Sequence, residues 1–104
     1  MSKFDEREKS FEKKFVTDQE LQFKVSARRN KYLAEWVSLK LGKNDEQKQN
    51  YVQEIIKADL EEAGDEDVFR KVKKDFENSV ISIDDSEIRN QMSIALVRAE
   101  EDFK

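Results

Sequence analysis

The chain has 104 residues, enough for one modest core, with 37% hydrophobic and 42% charged side chains and a net charge of −4. It contains no histidine and no cysteine, which removes the usual general base, the thiol nucleophile, the ordinary zinc site and any disulfide framework. Proline is absent and glycine occurs only at Gly42 and Gly64, so long helices are favoured over turn-rich sheets and no phosphate-cradling glycine loop can be built.

Charge is unevenly spread. Residues 1–42 carry a balance of +3 and residues 43–104 a balance of −7, an asymmetry able to steer a partner but too mild for a nucleic-acid clamp. No apolar run approaches the roughly 20 residues needed to span a bilayer, and no signal-peptide pattern opens the chain. A soluble, cytoplasmic protein is the expectation, with no membrane insertion and no nucleic acid among its partners.

Residues 1–16 hold Phe4, Phe11 and Phe15 at i, i+7 and i+11, one face of a helix. Fixing that much backbone costs more than burying three phenylalanines returns, and short isolated helices are marginal. The spacing therefore predicts a flexible segment with a latent amphipathic helix, of the kind that orders on a partner's groove. A fifth helix packed on its own bundle is the alternative.

Residues 17–104 read as a four-helix bundle, so the fold class is all-α. Thr17 and Glu20 form a capping box, with Val16 and Leu21 as a staple, and open a helix to about Leu41 that is roughly 36 Å long. Gly42 ends it in the left-handed cap. On this helix Leu21, Val25, Tyr32, Trp36 and Leu39 fall on one side, and Phe23, Ala27, Ala34, Val37 and Leu41 fall nearly opposite. Either neighbours cover both sides or one stripe is a docking surface, and burial of Phe23 separates the two readings.

Asn44 and Gln47 start a second helix with Tyr51, Val52, Ile55, Ile56 and Ala63 on one face, closed by Gly64. Asp65 caps a third, striped by Phe69, Val72 and Phe76. Asp84 and Glu87 form a further capping box, stapled by Ile83 and Ile88, before a stripe of Ile88, Met92, Ala95, Leu96, Ala99 and Phe103. Short connections imply antiparallel neighbours.

Asp59 projects into the apolar face of the second helix, and folding back about residue 43 brings Arg28 and Arg29 level with it. A buried charge is costly unless paired, so an ion pair between Asp59 and one of these arginines is predicted, acting to fix register. The alternative is an anion or weak nucleotide site at Arg28 and Arg29. The acidic stretch from Asp59 to Asp67 does not make a calcium loop. With Asp59 as the first position, Ala63 and Arg70 stand where oxygen ligands are required. No catalytic residue, metal or cofactor is expected.

The string Phe4-Asp5-Glu6-Arg7-Glu8-Lys9, with Phe11-Glu12 and Lys14-Phe15, resembles the opening of the zeta-subunit family, inhibitors of the alphaproteobacterial F-type ATP synthase. Ala27-Arg28-Arg29-Asn30-Lys31, Trp36, Leu41-Gly42 and the run from Lys57 to Val72 extend the resemblance, followed by Asp75-Phe76. The last helix is similar only loosely, and Thr17 stands where the family has histidine. The resemblance implies that the N-terminal segment inserts into the catalytic interface of the synthase's soluble head and blocks rotation, with the bundle as anchor. Phe4, Phe11 and Phe15 would then be apolar contacts, and Arg7, Glu8, Lys9, Glu12 and Lys14 polar ones. It also implies a bacterial cytoplasmic setting, peripheral to the membrane through the synthase. The rival function is a general helical interaction module or weak nucleotide-binding regulator, with Arg28, Arg29 and Lys31 meeting phosphates.

Overall fold

A computed structural model describes residues 2–61 and 64–103, with side chains described from residue 19 onward. Four α-helices follow in chain order: α1 (Ser2–Leu41), α2 (Asp45–Glu61), α3 (Glu66–Glu77) and α4 (Asp85–Asp102). No strand occurs among the described residues. α1 packs between α2 and α4, while α3 joins α2 to α4 and closes the ring. The expected all-α, four-helix architecture is present.

The backbone of α1 is helical well before the Thr17 box, which corrects the expected helix start. A capping residue favours a helix end but does not impose one, and nothing between Ser2 and Leu41 is glycine or proline. The end at Gly42 is firm. Gly42 has φ +70, its N–H donates to the Leu39 carbonyl at 3.4 Å, and the Lys43 N–H donates to the Ser38 carbonyl at 2.9 Å. These are the two bonds of a Schellman motif, in which glycine takes the left-handed position without a Cβ penalty.

α2 opens on the expected capping box. The Asn44 N–H donates to Gln47 Oε1 at 2.9 Å, and the Gln47 N–H donates to Asn44 Oδ1 at 2.8 Å. Gly64, at φ +95, reverses the chain toward α3. The other two expected caps are right in position and wrong in chemistry. Neither Asp65 nor Asp84 makes a side-chain cap bond. Asp65 turns to Arg29 instead, and Glu87, the expected partner of Asp84, accepts from Gln91 one turn on. The α4 start is held by the Asp84 carbonyl, which takes the N–H groups of Glu87 and Ile88 at 3.0 and 3.1 Å.

The core contains Leu33, Ala34 and Val37 of α1, Tyr51 and Ile55 of α2, Val68, Phe69, Val72 and Phe76 of α3, and Ile88, Met92 and Ala95 of α4. Trp36 meets Phe76 edge-to-face at 5.6 Å between ring centroids. Between α3 and α4, Ser79 Oγ accepts the Ile81 N–H at 3.0 Å and donates to the Phe76 carbonyl at 2.7 Å. That brace keeps Ile81 and Ile83 against the core and leaves Val80 fully in solvent. Arg89 of α4 lies over the Phe69 ring at 3.7 Å and reaches Glu66 at 2.9 Å, joining α4 to α3.

The two stripes expected on α1 are each covered only in part: Ala34 and Val37 of the second are fully buried, and Tyr32, Trp36 and Leu41 pack partly buried against the core. Its most covered residues are Arg29, Asn30, Leu33, Ala34, Val37 and Ser38, which take in the arc between the stripes and part of the second stripe. α2 and α4 pack on its two flanks, so each stripe is covered at some positions and open at others. Leu33, which belongs to neither, is fully buried, while Leu39 is 79% and Phe23 68% exposed.

Replacing Ile55 by alanine should cost about 2–5 kcal/mol, because its fully buried side chain leaves a cavity. Val80→Ala should stay within about 0.5 kcal/mol. Urea unfolding followed by circular dichroism checks both.

Candidate functional site

The residues expected to meet a partner, Phe4, Arg7, Glu8, Lys9, Phe11, Glu12, Lys14 and Phe15, lie outside the described side chains, as does the flexibility expected of residues 1–16. Their backbone is part of α1 from Ser2 onward. What the structure details is the arginine node at which that helix joins the bundle.

Arg29 has a side chain only 4% exposed. Its Nη2 lies 3.3 Å from Asp59 Oδ1 on α2, its Nη1 2.9 Å from Asp65 Oδ1 just before α3, and its Nε donates to Asn30 Oδ1 at 2.7 Å. Asn30 closes the ring by donating from Nδ2 to Asp59 Oδ2 at 3.0 Å. One guanidinium thus ties α1 to α2 and to the turn beyond Gly64. A guanidinium keeps its charge under all ordinary conditions, so the two carboxylates are needed for its burial. The choice of Arg29 over Arg28 follows from helix angle, since Arg28 points to the α4 side. There it meets Asp102 at 3.1 Å, lies over the Phe103 ring at 5.2 Å, and shares Asp102 with the Tyr32 hydroxyl, which donates to it.

This arrangement has consequences for phosphate binding. Both arginines face carboxylates, so an incoming phosphate would have to approach alongside Asp59, Asp65 and Asp102. Among the described residues, no group of histidine, cysteine and acidic side chains could hold a metal ion, and no helix is long and apolar enough to cross a membrane.

A family model described as ATPase inhibitor subunit zeta matches residues 1–102, the N-terminal segment and the bundle together. The chain belongs to the zeta family of ATPase inhibitor subunits. No curated protein matches it. The resemblance drawn from the Phe4–Phe15 and Lys57–Val72 strings is thereby confirmed, and an inhibitory role follows from the family.

In this zeta-family chain, the sequence pointed to Asp59 with either Arg28 or Arg29, and it missed Asn30 and the second carboxylate of the node. Asp65 was readable only as a cap. Its spacing from Asp59 across Gly64 is the one signal that both could converge on a single cation.

A second polar cluster joins α2 to α3. The Tyr51 hydroxyl donates to Asp75 Oδ2 at 2.6 Å, and Lys71 Nζ lies 3.0 Å from Asp75 and 2.9 Å from Glu54. Burial pushes the Tyr51 hydroxyl far above its usual value, and the bond to Asp75 adds to the rise. Burial works against the Lys71 charge, yet the bonds to Glu54 and Asp75 outweigh it and raise that pKa as well.

Two tests follow. Arg29→Ala or Asp59→Ala should each cost about 3–5 kcal/mol, because each strands a buried partner. Arg28→Ala should cost about 1 kcal/mol or less, since its pair is solvent-exposed. Urea midpoints distinguish these values. For Tyr51, the folded state holds its proton more tightly than the unfolded chain. Its contribution is complete below pH about 10 and is lost as pH rises beyond that value. Lys71 acts in the same sense. Tyr51→Phe should therefore lose less stability than the wild type between about pH 9 and 11.

Proposed function

We propose that this chain inhibits ATP hydrolysis by an F-type ATP synthase, with residues 1–16 inserted into the catalytic interface of the soluble head so that rotation stops, and residues 17–104 as the anchor. The observation that carries the reading is α1 itself, one helix from Ser2 to Leu41. In a helix, Phe4, Phe11 and Phe15 share a face, and the same rod continues into the bundle through Arg29. A wedge must resist being pushed out, and an unbroken helix braced by a buried ion pair transmits that load better than a jointed linker.

The aromatic face obtains its burial from the target. Arg7, Glu8, Lys9, Glu12 and Lys14 supply hydrogen bonds and fix the depth of insertion. The protein then works in the bacterial cytoplasm, peripheral to the membrane through the synthase, and catalyses nothing itself. The nucleotide-regulator reading is the weaker one, because Arg28 and Arg29 are held by carboxylates.

Deleting residues 2–15 should abolish inhibition of the cognate synthase's ATP hydrolysis while the helical circular dichroism and cooperative unfolding of the bundle persist. A truncated chain that still inhibits would refute insertion.

A further inference from the structure

The inhibitory face does not have a natural end at residue 16. Gln19, Gln22, Phe23, Ser26 and Ala27 of α1, with Ile56 and Leu60 of α2, line a groove of about 290 Å³. Phe23 and Leu60 are each 68% exposed at its rim. It opens at the end of the bundle where α2 finishes, beside the Arg29–Asp59 pair, on the side from which α1 runs back toward residue 16.

Phe23 follows Phe15 by eight residues on the same helix, about 12 Å along the axis and about 80° around it. Gln19 and Ser26 fall within the intervening angle. No glycine or proline separates the two positions, and both lie in the one helix α1. A standard protein interface buries about 800 Å² per partner, a patch roughly 30 Å across. A body gripping Phe11 and Phe15 therefore reaches the groove.

We infer that the ATPase contact continues onto the bundle. The groove between α1 and α2 takes an apolar ridge of the same head subunit that holds the inhibitory segment, with Phe23 and Leu60 as its main contacts and Gln19, Gln22 and Ser26 as its polar margin. This rests on the proposed inhibition and adds a second docking site to it. The other exposed apolar face, with Leu39, Ile94 and Val97, lies on the α4 side and takes no part. Leu39 is turned about 160° from Phe23 on α1.

The test is ATP hydrolysis by the purified cognate synthase, titrated with Phe23→Asp, Leu60→Asp, Leu39→Asp and Val97→Asp in the full chain. The first two should raise the half-inhibitory concentration at least tenfold, and the last two should leave it within twofold, with urea midpoints near that of the wild type throughout. A photo-crosslinking residue at position 23 should capture a head subunit, and one at position 39 should not. Wild-type potency in Phe23→Asp and Leu60→Asp, with deletion of residues 2–15 still abolishing inhibition, would overturn the groove and leave the inhibitory function standing. Crosslinking of position 23 to a second copy of this chain would overturn it too. A wild-type chain that does not inhibit at all would remove both readings.

Discussion

A buried arginine cannot shed its charge, and the geometry of this bundle follows from where its counter-ions must be. Arg29 is almost fully covered, and its guanidinium is met by Asp59 from α2 and Asp65 from the following turn. Three points in the chain are thereby brought to one place. The net stabilisation of such a node is modest, since desolvation offsets most of the attraction, but breaking it is expensive because a stranded charge remains. Its use is therefore selection among alternatives. Sliding α2 by a turn along α1 would carry Asp59 away from the guanidinium and leave the arginine short of a counter-ion.

The two glycines make that convergence sterically available. Gly42 and Gly64 both sit at positive φ, one reversing α1 into α2 and the other delivering Asp65 beside Asp59. The turns set the approximate meeting of the helices, and the ion pairs set the register. At the other flank, Arg28 and Tyr32 hold Asp102 at the end of α4. α2 and α4 thus both finish level with residues 28–30, and α1 continues past them. A short bundle attached to a long rod suits the proposed inhibitor, in which the bundle holds position and the rod enters the target.

Much of this was legible in the sequence, where a local signal had a local cause. The Asn44–Gln47 box, the glycine caps and the apolar stripes of α3 and α4 concern residues within a turn of one another. Asp59 was legible because an acid in the middle of an apolar face needs a cation. The Asp65 and Asp84 caps failed because a carboxylate chooses among all donors within reach, and the sequence does not reveal a tertiary competitor such as Arg29. Leu33 was missed because periodicity gives the angle of each residue but not the direction of the neighbours, and α1 has neighbours on two sides. The aromatic face at Phe4, Phe11 and Phe15 was readable as a pattern of spacing, whereas its target came from family resemblance alone.

The most direct measurement of the central claim is a double-mutant cycle on Arg29→Met and Asp59→Leu, read by urea unfolding. A node that fixes register predicts a coupling of at least about 1.5 kcal/mol, with the double variant more stable than the two separate losses combined would allow. Losses that simply add would mean that Arg29 and Asp59 are neighbours without being partners, and the fold would need another origin for its register.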